Sequence, residues 1–399
     1  MRPLDEHRAA ALALAEPLPA VEVGLADALG LVLATDVRTD ELLPRWDNSA
    51  MDGYAVRRAD VLAVPVVLRV VADLPAGSPD EPALEPGTAA RIMTGAPLPP
   101  GADAVVPVEV TDAGAATVEI RVAPEPAAHI RRAGEDAVPG DLVLAAGALL
   151  GPAHVAALAS TGRSTALVHR RPRIAVVSTG DELVPPGTAL RRGQLPDSNS
   201  WLLAAAVTEA GAVAVRLGPV GDDPAALLEL LHTLDADPTV DGIVTSGGVS
   251  MGEYDVVKAA LLSSPGVEFL PVAVQPGKPQ GLGRLPGGTP IWTLPGNPVS
   301  SFASFEMFVR PAIGRMRGLA SVERPAVRAV VDEGWRTPPG RAQLMPVRFV
   351  DSGHVVPATA RGSGSHLVAR LALAEGLAVV PAEVDEVVVG ASVHVLKVT

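Results

Sequence analysis

DGIVTSGGVSMGEYDVVK, residues Asp241 to Lys258, reads as a strand, a glycine loop and a helix start. The apolar pair Ile243-Val244 leads into Thr245-Ser246-Gly247-Gly248, and past Ser250 and Gly252 come Glu253 and Asp255, just before VVKAALL. Glycines let backbone N–H groups approach a phosphate, and two carboxylates can hold the divalent ion that a polyphosphate or an adenylate brings with it. This stretch is therefore the first candidate site.

Outward from it the pattern is regular. From Arg173 the chain runs strand RIAVVST, helix SWLLAAAVTEAG, strand VAVRLG, helix PAALLELLHTL, strand GIVTS, helix VVKAALL and strand VEFLPVAV. Alternation of this kind predicts a mostly parallel sheet covered by helices on both faces, a three-layer α/β/α domain over residues 171–318. Ligands in such folds bind beyond the carboxyl ends of the strands. Both STGDE, residues 178–182, and SGGVSMGEYD, residues 246–255, fall there, while VQPGKPQGLG (274–283) and LPGNPVSS (294–301) read as two further loops.

Towards the N-terminus, helices are expected over Asp5–Ala15 and Leu25–Ala34, followed by a loop in LLPRWDNSAMDGYAVR. Short β-branched runs from Val64 to Val122 predict a β-rich insertion, and Gly151-Pro152 opens a helix that ends near Gly162. The expected division is an N-terminal linker or dimerisation domain (1–45 and 130–170), an inserted β domain (46–129), the α/β/α domain, and a C-terminal β domain (319–399).

Composition narrows the chemistry. A net charge of −13 and 3% aromatic residues argue against nucleic acid, and the absence of cysteine excludes disulfides, thiolate metal sites and a cysteine nucleophile. Asp5 and Glu6 stand where a signal peptide carries basic residues, and no apolar run is long enough to span a bilayer, so a cytoplasmic protein without membrane contact is expected. The eight histidines form no HxH or HxxH pair. Neither a Walker A nor a Rossmann glycine pattern stands at a strand end, nor does a convincing nucleophile elbow.

What remains is a set of separated loops suited to polyanions. The candidate metal ligands are Asp181, Glu182 and Asp255, and the candidate substrate contacts are Thr179, Gly180, Ser246, Gly247, Gly248, Ser250, Gln275, Pro295 and the pair Arg131 and Arg132. Lys278, in PGKP, offers a compact cation for an oxyanion.

In order, NSAMDGYAV, RIMTGAPLP, GADAVVPVE, RRAGED, STGDEL, DSNS, SGGVSMGEYD, PGKP and LPGNPVSS resemble the molybdopterin molybdenumtransferase family, which includes the C-terminal domain of gephyrin. The resemblance implies the last step of molybdenum cofactor assembly, in which molybdate is inserted into adenylylated molybdopterin with Mg²⁺ and AMP is released. It also implies four domains, a homodimer whose clefts are shared between protomers, and contacts with molybdopterin adenylyltransferase and molybdoenzymes. Carried over by motif, the catalytic set is Asp52, Thr94, Asp136, Glu182, Asp222, Asp255 and Lys278, with Ser365 of the SGSH loop as a substrate contact. Where the family commonly has KPGKP, this chain has Gln275 in the first lysine's place. A molybdopterin adenylyltransferase and a non-catalytic molybdopterin-binding scaffold are the alternatives; the first lacks the β insertion and the C-terminal domain, and the acids at Asp52, Asp181, Glu182 and Asp255 speak against the second.

Overall fold

The computed structural model describes residues 1–249, 255–262, 264–358 and 368–398. At its centre lie six strands, β1 (Arg173–Thr179), β2 (Val213–Val220), β3 (Gly242–Ser246), β4 (Val267–Pro271), β5 (Pro279–Arg284) and β6 (Pro290–Leu294). Their order is β2-β1-β3-β6-β5-β4, with β5 antiparallel to both its neighbours and β2, β1, β3 and β6 mutually parallel.

Successive residues of β1 enter opposite cores. Ile174 and Val176 pack with Leu203, Trp292 and Phe308, whereas Ala175 and Val177 pack with Leu227, Leu231 and Ile291. A strand covered on both faces is apolar on both, which is why IAVV, residues 174–177, reads as an unbroken run. Helices Asn199–Glu209 and Pro298–Ser304 close the first face, and Pro224–Ala236 and Val256–Leu261 the second. Asp223 starts the helix Pro224–Ala236 by accepting from the Ala225 N–H at 2.9 Å, with proline at the first helical position where no donor is needed.

The first helix, Leu4–Ala13, also lies on the central domain, with Ala11 and Ala15 in the same core as Ile174 and Trp292. His7 is buried there, edge-on to the Phe308 ring at a centroid distance of 4.7 Å, and burial lowers its pKa to about 4. Folded His7 thus stays neutral where unfolded histidine takes a proton, so stability is complete above pH ~6.5 and declines as pH falls towards 4. The decline attributable to this residue reaches about 3 kcal/mol at and below the folded pKa. Urea unfolding of wild type and His7→Phe at pH 7 and pH 4.5 should show a smaller pH dependence in the variant; equal dependence would show that His7 does not carry the titration.

Two smaller β units flank the sheet domain. A five-stranded sheet contains Ala104–Pro107, Gly53–Val56, Thr88–Ile92, Val66–Leu74 and Thr117–Ile120 in that spatial order. Near the C-terminus, Ala342–Phe349, His354–Pro357, Ala326–Val331, Ser392–Lys397 and Gly376–Val380 close a ring, because the last pairs back with the first. Val274–Gln275 extends this ring, pairing in parallel with Ala342 and Gln343. The loop between β4 and β5 is thereby fastened to the C-terminal unit.

Three expectations need correction. Leu25–Ala34 is not a helix: a short 3₁₀ turn at Leu25–Asp27 gives way to a strand, Val32–Leu33, because these residues pair with Val168 and His169 far along the chain. The segment read as a loop around Asp52 contains a central strand, Gly53–Val56, hydrogen-bonded on both edges. Within 274–283, Pro279–Arg284 is a strand of the main sheet, and its glycines mark crowding rather than a turn: a Cβ on Gly281 would come within 2.2 Å of Thr293 Oγ1. Among the described residues, no helix is long and apolar enough to cross a membrane.

Candidate active site

A cavity of about 1140 Å³ opens beyond the carboxyl ends of β1, β3 and β6. Its lining includes Thr179, Gly180, Glu182, Asp222, Ser246, Gly247, Gly248, Asp255, Gln275, Lys278 and Pro295. Loops from well-separated stretches of sequence meet there because the parallel strands deliver their carboxyl ends to one edge.

Each wall has its own origin. After β1 the chain turns at Gly180, and the loop is locked to the one after β2 by a reciprocal pair: Asp181 N–H donates to Asp222 Oδ2 at 3.2 Å, and Asp222 N–H to Asp181 Oδ1 at 2.9 Å. Asp181 does not line the cavity; its carboxylate positions Asp222, which does. Past β3, Gly247 N–H donates to Leu294 O at 3.1 Å, so this glycine serves close packing of the two strand ends rather than as a donor. Its φ is +100°, and a Cβ would meet Thr179 O at 2.8 Å and Thr179 Oγ1 at 2.9 Å. Asp255 stands immediately before the helix Val256–Leu261.

The cations come from the opposite side. Lys278 follows Gly277, whose carbonyl accepts from the buried Gln280 Nε2 at 2.6 Å; the same nitrogen donates to Ser304 Oγ at 2.7 Å, fixing the turn that carries the lysine. Arg341, just before the strand that pairs with Val274–Gln275, reaches the cavity from the C-terminal unit.

The remaining predicted residues lie elsewhere. Asp52, Thr94, Arg131, Arg132 and Asp136 do not line the cavity. Asp52 Oδ1 accepts from both the Thr94 N–H (2.8 Å) and the Thr94 hydroxyl (2.7 Å), and these bonds hold its carboxyl below the usual carboxylate range. Arg132 is paired with Asp47, while Asp136 N–H donates to Leu43 O at 2.9 Å. Ser250, Glu253 and Ser365 lie outside the described residues.

The chain matches three family models in succession: MoeA N-terminal region (domain I and II) over residues 2–162, probable molybdopterin binding domain over 175–315, and MoeA C-terminal region (domain IV) over 328–398. It is 44% identical over 410 residues to molybdopterin molybdenumtransferase 2 of Mycobacterium tuberculosis, covering 100% of both chains. The chain belongs to the MoeA family of molybdopterin molybdenumtransferases. Molybdopterin molybdenumtransferase 1 of the same organism is 37% identical, covering 99% of this chain and 98% of the relative. A solved structure of a molybdopterin biosynthesis MoeA protein from Pyrococcus horikosii has a TM-score of 0.84 at 31% identity, covering 99% of this chain and 98% of that one.

This MoeA-family cleft holds residues that single-sequence reasoning passed over. Asp197 is buried and accepts from Ser178 Oγ (2.8 Å), Ser200 Oγ (2.5 Å) and Ser200 N–H (3.1 Å), joining the end of β1 to the start of a helix. Asn199 donates through Nδ2 to Ser246 Oγ at 2.8 Å and to Gly296 O at 2.6 Å. Both belong to DSNS, a signal visible in the sequence but one whose polar side chains resemble an ordinary helix cap.

Proposed function

We propose that this MoeA-family chain, a transferase of molybdenum cofactor biosynthesis, takes molybdate and adenylylated molybdopterin as substrates and releases AMP. The observation that carries this reading is one cavity in which Glu182, Asp222 and Asp255 face Lys278 and Arg341 at the carboxyl edge of the sheet. Acids alone would repel two anionic substrates, whereas this mixture can attract an oxyanion at one wall and organise a cation at the other.

The fit to Mg²⁺ is partial but consistent with how that ion binds. Among the described residues, no group of three or more His, Cys, Asp or Glu is gathered to hold a metal. Mg²⁺ is ordinarily held by one or two carboxylates together with substrate phosphates and water, and Glu182, Asp222 and Asp255 supply such hard oxygens within the cavity. When bound, the ion would offset phosphate charge, and Lys278 and Arg341 would orient the oxyanion. A cytoplasmic location and a homodimer belong to the same proposal.

Incubating the protein with adenylylated molybdopterin and isotope-labelled molybdate should give label in the dithiolene product and an equivalent of AMP. Binding of both substrates without AMP release would support a scaffold instead, and transfer of the adenylyl group from molybdopterin to added pyrophosphate, giving ATP and free molybdopterin, would point to an adenylyltransferase.

The departure at Gln275 gives a sharper expectation. Gln275 and Lys278 both line the cavity, but only the lysine is charged, and hydrogen bonds to ionic groups are worth roughly twice neutral ones. Lys278→Ala should therefore raise the molybdate concentration for half-maximal turnover far more than Gln275→Ala, while Gln275→Lys should lower it. Titrating molybdate against the three variants checks this, and equal small effects of the two alanine changes would move oxyanion binding to the backbone.

A further inference from the structure

Lys278 stands at the end of a turn, Gln275 to Lys278, whose two ends are held by main chain. Gln275 pairs in the ladder with Gln343, and Lys278 O accepts from the Val272 N–H at 2.7 Å. The middle of the turn is held differently. Pro276 has no N–H to give and Gly277 has a φ of +104°. Among the described residues, the one side chain hydrogen-bonded to this turn is the amide of Gln280, whose Nε2 donates to Gly277 O at 2.6 Å. Gln280 lies in β5 at 1% exposure and does not line the cavity.

A carbonyl can only accept, so the Gln280 atom facing Gly277 O is nitrogen, and its second proton goes to Ser304 Oγ at 2.7 Å. A Cβ on Gly277 would come within 2.7 Å of Ser304 Oγ and 3.2 Å of Gln280 Nε2, so the turn rests directly on this pair. The carbonyl so held belongs to the peptide group that joins Gly277 to Lys278. Peptide groups are planar, so fixing this carbonyl sets the plane entering the Lys278 Cα, while the bond from Val272 sets the plane leaving it. The Cα–Cβ direction of the lysine follows from the two planes. Its side chain beyond that bond is exposed, so the aim is given at the backbone.

We infer that Gln280 is a positioning residue for the reaction, acting through Lys278: its amide holds the peptide from which the lysine reaches the oxyanion. The inference rests on the function proposed above, and it extends oxyanion binding to a buried side chain behind the cavity wall. An apolar side chain would fill this place in β5 without any polar group to satisfy. The amide is compatible with such burial because both its protons are paired, one with the turn and one with Ser304 at the end of the helix Pro298–Ser304.

Gln280→Met keeps the length of the side chain and removes both donors. Turnover should be measured against molybdate and, separately, against adenylylated molybdopterin, for wild type, Gln280→Met, Lys278→Ala and the double variant. In Gln280→Met the molybdate concentration for half-maximal turnover should rise about tenfold, short of the roughly 10²-fold that a misplacement of about 1 Å can cost, with the requirement for adenylylated molybdopterin unchanged. In the Lys278→Ala background the same change should add nothing, because a positioning effect disappears with the group it positions. A role confined to packing would instead lower the thermal midpoint and depress turnover alike in both backgrounds. Should Gln280→Met fail to fold, Ser304→Ala, which takes away the second partner of the amide, should give a smaller shift of the same kind, again absent without Lys278. A molybdate shift that persists undiminished in the double variant, or no shift in either single variant, overturns the positioning role alone. Absence of turnover in wild type would remove the proposed function, and an unshifted Lys278→Ala would remove the lysine's part in it; the positioning role falls with either.

Discussion

Asp255→Ala is expected to slow AMP release by on the order of 10²-fold or more, the usual loss when one preorganised charge-stabilising group is removed. The fold should survive. The main-chain link to the helix that follows, Ala259 N–H to Asp255 O at 2.8 Å, is independent of the carboxylate. Val256, Val257, Ala260 and Leu261 are buried against Leu227, Leu231 and Ile243, so packing holds the helix in place. AMP release should be followed alongside circular dichroism and the thermal midpoint. Wild-type turnover in a protein with an unchanged midpoint would remove Asp255 from the reaction.

The sheet domain was legible because burial on both faces forces long apolar strands, and because helices of ordinary length separate them. Its site was legible for the same reason: STGDE and SGGVS follow apolar runs and so had to lie at strand ends. Where a strand's character comes from distant partners, local pattern failed. Gly53–Val56 contains glycine and follows a polar stretch, yet it is held on both edges by residues 89–92 and 104–107. Pro279–Arg284 looks like a loop by its Pro and Gly content, which in fact reflects close packing against β4 and β6. Asn199 was missed because nothing in one sequence distinguishes an amide that caps a helix from one that reaches across to Ser246 and Gly296. Arg341 was missed because its place depends on the pairing of Val274–Gln275 with a strand some 70 residues later, a contact no periodicity reports.

Mixing inactive Asp52→Ala and Asp255→Ala proteins is expected to restore about a quarter of wild-type activity, if subunits exchange freely in a two-fold dimer whose clefts are shared. The resemblance implies a part for Asp52 in the reaction, yet within one chain Asp52 and Thr94 do not line the cavity that contains Asp255. Asp52 is nonetheless oriented and ionised: Thr94 fixes one oxygen with two hydrogen bonds, its carboxyl is held below the ordinary range, and the residue is exposed. Its sequence neighbour Met51 is an exposed apolar side chain, as are Leu42, Trp46 and Val138 of the same N-terminal region. A partner docked there would bring its own cavity to this Asp52. Each mixed dimer then has one cleft with both acids and one with neither, whereas each homodimer of either variant has none complete. Activity should appear only after exchange, and in proportion to the fraction of mixed dimers separated by differently tagged subunits. Mixed dimers that form and stay inactive would put the whole site within one chain and leave Asp52 with a structural role at the turn it shares with Thr94.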